Sequence, residues 1–245
     1  MTALSLSQVS YQYPDTDLPV VKDVTLQISN GMRFGLFGPN GAGKTTLMSL
    51  MTGILTPQKG EIKINDITPS DTMKYRRQFG YVPQDFAFYP ELTPAENLEF
   101  FGAWLGLDDK QIKQQTHHLL SRFGLWDVRN KAVSKFSGGM KRRVNIAIGV
   151  MNNPSVLFLD EPTTGVDVQS RIAITEFLLE LSLQGTTLIY TSHQLKEAEA
   201  LCDYIALIDD GKIIACNTLS HLLEKDHVAT LEDLFLKLTG KDYRD

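Results

Sequence analysis

Short runs of alternating apolar and polar residues dominate the first third of the chain: Leu4-Ser-Leu-Ser-Gln-Val9, Val24-Thr-Leu-Gln-Ile28 and Glu61-Ile-Lys-Ile64. Period-two alternation is the mark of half-buried strands, so this region reads as a mainly antiparallel sheet. Phe34-Gly-Leu-Phe37 is a short apolar strand that leads into a glycine-rich turn and then a helical run from Thr45 to Leu55. From Pro83 to Asn153 helix signals replace strand signals. Thr93-Pro-Ala-Glu96 is a capping box with proline at the first helical position, Asp108-Asp-Lys-Gln111 starts a second helix, and a third spans Gly138 to Met151 before Asn152-Asn-Pro154 ends it. Strands then return as near-continuous apolar runs, Val156–Leu159, Thr187–Tyr190 and Tyr204–Ile208, as expected of parallel strands buried on both faces. Helical stretches at Asp167–Leu183 and Leu195–Leu201 separate them, and Thr230–Leu238 closes the chain. The pattern predicts an α/β core with an N-terminal antiparallel β-subdomain, interrupted by an α-helical insert. As one domain over 1–245, it divides into core at 1–84 and 155–220, helical subdomain at 85–154 and helical tail at 221–245.

Composition narrows this picture mainly by exclusion. The chain has 245 residues, 42% hydrophobic and 22% charged, which supports a packed core without staples and excludes intrinsic disorder. Its longest apolar stretch, Phe100–Leu107, falls far short of the roughly 18 residues that cross a bilayer. A formal net charge of −5 disfavours nucleic acid as a partner. Cys202 and Cys216 lie in unrelated stretches and read as packing residues of a reducing compartment. Met1–Ser10 carries neither the basic nor the apolar region of a signal peptide, so the expected address is cytoplasmic. His117, His118, His221 and His227 match no motif, and no zinc pattern is present.

Chemistry enters at Gly38-Pro39-Asn40-Gly41-Ala42-Gly43-Lys44-Thr45, continued by Thr46, which matches the phosphate-loop pattern GxxxxGK[ST] between a strand and a helix. Glycines let backbone amides curl around phosphates, and the helix N-terminus adds a favourable dipole. Lys44 supplies a point charge for the β- and γ-phosphates, and Thr45 a hydroxyl for Mg²⁺. The fold class is therefore that of a P-loop NTPase with a RecA-like core. Val156–Leu159 ends in Asp160-Glu161-Pro162, two acids at the carboxyl end of a core strand, where open α/β sheets bind ligands. Neighbouring strand residues point to opposite faces, which assigns them different work: Asp160 holding Mg²⁺, Glu161 addressing the attacking water.

Phe136-Ser137-Gly138-Gly139-Met140, followed by a basic turn Lys141-Arg-Arg143, separates this chain from other P-loop enzymes. Here the sequence resembles the ATPase subunit of ABC transporters, whose LSGGQ signature appears as FSGGM, and the resemblance covers essentially the whole chain. It implies binding of ATP with Mg²⁺ and a head-to-tail homodimer in which Ser137, Gly138 and Gly139 meet ATP held by the partner's 38–46 loop. Gln84 in Tyr81-Val-Pro-Gln-Asp85 resembles the Q-loop glutamine, a ligand of Mg²⁺ or of the lytic water that couples the lobes. His193 in Thr191-Ser-His193 resembles the switch histidine at the γ-phosphate. Asp167 resembles the D-loop aspartate at the dimer seam, and it also reads as a helix N-cap. Tyr13 resembles the aromatic that stacks on adenine, with Tyr11, expected on the same strand face, as its rival.

With no membrane span in the chain, the resemblance implies a separate integral membrane permease and attachment to the inner face of the membrane only through it. Asp85-Phe-Ala-Phe88-Tyr89-Pro-Glu-Leu92 is the expected dock, the less favoured alternative being that Phe86, Phe88 and Tyr89 pack beneath the helical lobe. This loop, FSGGMKRR and the closing helix resemble ATPases of multidrug, antibiotic, lipid or polysaccharide exporters, and the chain ends too soon for the regulatory domain of many sugar importers. The rival readings are a soluble ABC ATPase of DNA repair or translation and a regulatory or assembly ATPase. The short stretch between Gln84 and Ser137 leaves no room for the long coiled coil of the repair relatives, and translation relatives usually carry two cassettes in one chain.

Overall fold

Alternating side chains give each strand two faces, and in this protein those faces feed two separate hydrophobic cores. The computed structural model describes residues 1–192 and 195–240. Strand β1 (Thr2–Tyr11) pairs antiparallel with β2 (Val21–Ser29), Leu4 opposite Ile28 and Leu6 opposite Leu26, all four buried. Strand β3 (Arg33–Phe37) runs into the phosphate loop and helix α1 (Lys44–Met51). β4 (Lys59–Ile64) returns antiparallel to the other edge of β1, completing a sheet of order β2-β1-β4.

Helix α2 (Thr72–Arg76) and strand β5 (Phe79–Val82) follow, two elements with no clear pattern in the sequence. Helices α3 (Pro94–Trp104) and α4 (Asp109–Arg122) begin at the two capping boxes, with reciprocal bonds in both Thr93/Glu96 and Asp108/Gln111. Helix α5 (Gly138–Gly149) takes Ser137 as its N-cap and leads to β6 (Val156–Asp160). Helix α6 (Val168–Leu183), capped by Asp167, connects to β7 (Thr187–Ser192), and α7 (Leu195–Leu201) to β8 (Tyr204–Asp209). β9 (Lys212–Thr218), α8 (Leu219–Asp226) and α9 (Leu231–Thr239) complete the chain's described elements.

Among the described residues the larger sheet has the order β5-β6-β7-β3-β8-β9, parallel except for β9, which hairpins onto β8. Leu157, Leu159, Leu188, Tyr190, Ile205 and Leu207 point into one core, shared with α3–α6. Their neighbours Val156, Phe158, Ile189, Ala206 and Ile208 point into the other, shared with α1 and the antiparallel sheet. Both faces being covered is why these strands are continuously apolar. The register aligns the carboxyl ends of β3, β7 and β6: Leu36 lies beside Thr191, and Thr191 beside Asp160.

Cys202 is buried and Cys216 half-buried, both as free thiols. Burial pushes both thiols up, Cys216 to about 11, which suits packing residues.

Candidate functional site

The phosphate loop is built by glycines that only glycine can replace. Gly41 and Gly43 adopt φ of 81° and 103°, and a side chain on Gly38 would stand 2.1 Å from the Ile208 carbonyl oxygen. The loop ends at α1, whose first turn has no acidic side chain, so its free amides and positive dipole end remain available to an anion. Lys44 is buried, and its Nζ donates to the carbonyls of Gly38 (2.7 Å) and Pro39 (3.0 Å). Burial lowers its proton affinity, while Glu161 and Asp160 act in the opposite direction, which places both acids within electrostatic reach of the ammonium. Ala42 and Thr46 are buried; Asn40, Gly41 and Thr45 face outward.

Asp160 ends β6 with 3% of its surface exposed, and its Oδ1 accepts from Thr191 Oγ1 at 2.5 Å. Burial raises its pKa above the ordinary carboxylate range, with the Thr191 bond opposing. Glu161 does not continue the strand. Its φ of 48° turns the chain into the left-handed region, which corrects the expectation that alternation along a strand separates the two acids. Its amide donates to Thr191 O (3.1 Å), and its Oε2 accepts from Gln84 Nε2 (3.2 Å) and Thr164 Oγ1 (3.1 Å). β5 and β6 are parallel with Val82 beside Leu159, so Gln84 and Glu161 leave their strands at the same level.

The Ser137-Gly-Gly139 turn sits on different elements. Ser137 Oγ accepts from the Met140 amide (3.2 Å), Ser137 and Gly138 are exposed, and Gly139 is buried. A side chain on Gly139 would stand 2.2 Å from Ser170 Oγ and 2.8 Å from Asp167 Oδ2, so glycine here lets α5 meet the start of α6. Asp167 is exposed and caps α6 through the Ser170 amide (2.8 Å), and those bonds to Ser170 pull its carboxyl pKa down. Among the described residues no hydrogen bond joins Ser137, Gly138 or Gly139 to the 38–46 loop.

Tyr13 lies beyond the end of β1, which corrects the expectation that it shares a strand face with Tyr11. Its hydroxyl is 3.2 Å from Thr46 Oγ1, and the Tyr11 ring meets it edge-on at 5.0 Å. Tyr13 thus touches the phosphate loop, while Tyr11 packs against the antiparallel sheet's core. His193 lies outside the described residues.

The basic run Lys141-Arg-Arg143 is a helical segment, not a turn. Arg143 Nη1 donates to Phe123 O at 2.7 Å, at the end of α4. Arg142 is buried and reaches the main chain of Pro83 and Gln84, and Asn145 reaches Pro83 and Ala87. Sequence reasoning missed both, because polar residues on an amphipathic helix read as its wet face. It also missed Thr191, for which a signal exists: a polar pair, Thr191-Ser192, ending an apolar strand.

Beside this loop lies an apolar cleft of about 440 Å³, lined among others by Ile54, Tyr81, Ala87, Phe101, Trp104 and Ile148. Phe88 is half-buried against the helical core, whereas Phe86 and Tyr89 are each 42% exposed. One ring of the loop therefore packs inward and two are exposed.

Comparison with known proteins decides the family. Residues 21–164 match the family described as ABC transporter. The chain belongs to the ABC transporter family. It is 41% identical over 207 residues to the linearmycin resistance ATP-binding protein LnrL of Bacillus subtilis, covering 84% of this chain and 67% of the relative. The Nod factor export ATP-binding protein I of Cupriavidus pinatubonensis is 41% identical over 213 residues, covering 86% and 65%. The chain thus spans about two thirds of the length of these relatives. Bacillus subtilis NatA, an ABC transporter ATP-binding protein, is 33% identical over 95% of this chain and 96% of its own. Among solved structures, an ATP-binding subunit of an ABC transporter superposes with a TM-score of 0.90 at 32% identity, covering 97% and 100%. A dimeric ATP-binding cassette in a post-hydrolysis state with ADP and Pi superposes with a TM-score of 0.80 at 27% identity, covering 88% and 98%. This ABC protein is accordingly an ATP-binding, ATP-hydrolysing subunit that powers transport, on a P-loop NTPase fold. No helix among its described residues is long and apolar enough to cross a membrane.

Proposed function

We propose that this ATPase drives export through a separate integral membrane permease and works as an ATP-dependent head-to-tail homodimer. The observation that carries the reading is the placement of Lys44, Asp160, Glu161 and Gln84 at or just past the carboxyl ends of β3, β6 and β5 in one parallel sheet, while the exposed Ser137-Gly138 turn stands on another element. A site divided in this way suits a nucleotide clasped between two copies: the 38–46 loop of one protomer and the Ser137, Gly138 and Gly139 turn of its partner, with Asp167 at the seam. A relative named for resistance and one named for export support the direction of transport.

Residue roles are supported by placement for the described residues, and for His193 by the resemblance alone. Gly38, Pro39, Asn40, Gly41, Ala42 and Gly43 offer backbone to the phosphates, Lys44 exchanges its two carbonyl partners for phosphate oxygens, and Tyr13 stacks on adenine beside Thr46. Glu161 accepts the proton of the attacking water, Gln84 orients that water, and His193 addresses the γ-phosphate. A Mg²⁺ ion fits the donor set, because Asp160 is a buried carboxylate whose charged form gains most from a cation, and Thr45 and Gln84 add hard oxygen donors. Mg²⁺ uses few protein ligands when phosphates supply the rest, and when bound here it would neutralise charge on the β- and γ-phosphates.

The permease docks at the apolar cleft beside Phe86 and Tyr89, holding the chain at the inner face of the membrane. Purification of the intact chain from detergent-solubilised membranes tests this reading. A stoichiometric integral membrane protein is expected, and a ribosome or DNA partner in its place would contradict it.

A further inference from the structure

We propose that Arg142, seconded by Asn145, is a positioning residue for ATP hydrolysis: it fastens Pro83–Ala87 to α5, so that the helix opening at Ser137 and the Gln84 side chain move as one body. The inference rests on the reading of Gln84 given above and extends it to residues that touch no nucleotide.

The geometry is a fork on successive carbonyls. Arg142 Nη1 donates to Pro83 O at 3.1 Å and Nη2 to Gln84 O at 2.8 Å, and the guanidinium lies 5.0 Å from the centre of the Phe86 ring. Asn145 stands three residues on, hence on the same face of α5. Its Nδ2 donates to Pro83 O (3.2 Å), and its Oδ1 accepts from the Ala87 amide (3.1 Å). Among the described residues, the side-chain hydrogen bonds that reach Pro83–Ala87 come from α5, apart from Gln84's own bond to Glu161. A second anchor follows on α3. Buried Asn97 accepts from the Tyr89 amide (2.9 Å) and donates to the Tyr89 carbonyl (3.0 Å). Main-chain contacts of this kind set where Gln84 begins without engaging its side-chain amide, which reaches Glu161.

Stability alone does not account for Arg142. It is 4% exposed, its Nε has no hydrogen-bond partner, and burial lowers its proton affinity against the pull of Asp85, Glu161 and Asp160. A buried, incompletely paired guanidinium generally adds little stability compared with a well-packed apolar side chain. What it adds here is a fixed link between the turn that would face the partner's nucleotide and the glutamine that touches Glu161.

The test is a double-mutant cycle on the purified full chain, with kcat and ATP affinity measured separately. Arg142→Met is expected to lower kcat about 10-fold while ATP affinity stays within about two-fold, and to lower kcat by less than about two-fold when Gln84 is already alanine. Arg142→Lys, which keeps the charge and loses the fork, should fall between. Asn145→Ala should speed hydrogen exchange at the Ala87 amide, and this variant and Arg142→Lys supply the cycle if the methionine variant does not fold. Equal losses in both backgrounds, or a parallel loss of ATP affinity, would overturn the positioning role and leave Gln84's role intact. An unchanged kcat in Gln84→Ala would instead remove the reading of Gln84, and the clamp with it.

Discussion

Gln84 Nε2 donates to Glu161 Oε2 across 3.2 Å, between residues that leave parallel strands at the same level. The bond orients a carboxylate that also accepts from Thr164, so Gln84→Glu would set two acids where an amide met one. Like charges at this range repel. Hydrolysis by this variant is expected to fall at least about 10-fold, read by single-turnover assays. An unchanged rate would show that the contact between Gln84 and Glu161 plays no part in hydrolysis.

Asp160 lies buried with its pKa raised by desolvation, so the folded state holds its proton more tightly than the unfolded chain does. Stability of the nucleotide-free protein therefore falls as pH rises from the unfolded carboxylate pKa through the raised folded one, and the loss persists at neutral pH. Asp160→Asn keeps an acceptor for Thr191 and removes that loss. Its Tm at pH 7.5 should rise, by about 2–4 °C for each kcal/mol relieved, while ATPase activity disappears. Calorimetry at pH 4 and pH 7.5 checks the sign, since the gain should shrink at the lower pH.

Gly138 and Gly139 are adjacent but not equivalent. A side chain on Gly138 has its nearest neighbour at 3.6 Å, whereas one on Gly139 would meet Ser170 Oγ at 2.2 Å. Gly139→Ala should destabilise by about 1–3 kcal/mol and Gly138→Ala by much less, as urea midpoints will show.

Trp104 is 66% exposed at the mouth of the apolar cleft. Trp104→Glu should leave the fold and the isolated ATPase rate within about 0.5 kcal/mol of wild type and abolish co-purification with the permease. Retention of the permease at wild-type stoichiometry would move the dock elsewhere.

The sequence displays what depends on local pattern. Apolar runs such as Val156–Leu159 announced strands covered on both faces, and Thr93/Glu96 and Asp108/Gln111 announced helix starts that the structure reproduces bond for bond. β5 escaped because four residues containing a glycine carry no period, and that glycine exists to let Gly149 O approach, 1.9 Å from where a side chain would begin. β9 escaped as a half-exposed edge strand without contrast between its faces. In the site, the loop around Lys44 and the Asp160-Glu161 pair were legible because phosphate chemistry fixes their spacing. The left-handed turn at Glu161 and the grip of Arg142 and Asn145 on Pro83–Ala87 were not, since they arise from contacts between segments distant in the chain.

The most direct test of the whole account is single-turnover hydrolysis by Glu161→Gln, with ATP affinity titrated on the same preparation. The variant should bind ATP as the wild type does, hydrolyse it at least about 100-fold more slowly, and accumulate as a dimer on size exclusion in ATP. Hydrolysis at the wild-type rate would contradict the assignment of Glu161 and the site built around it.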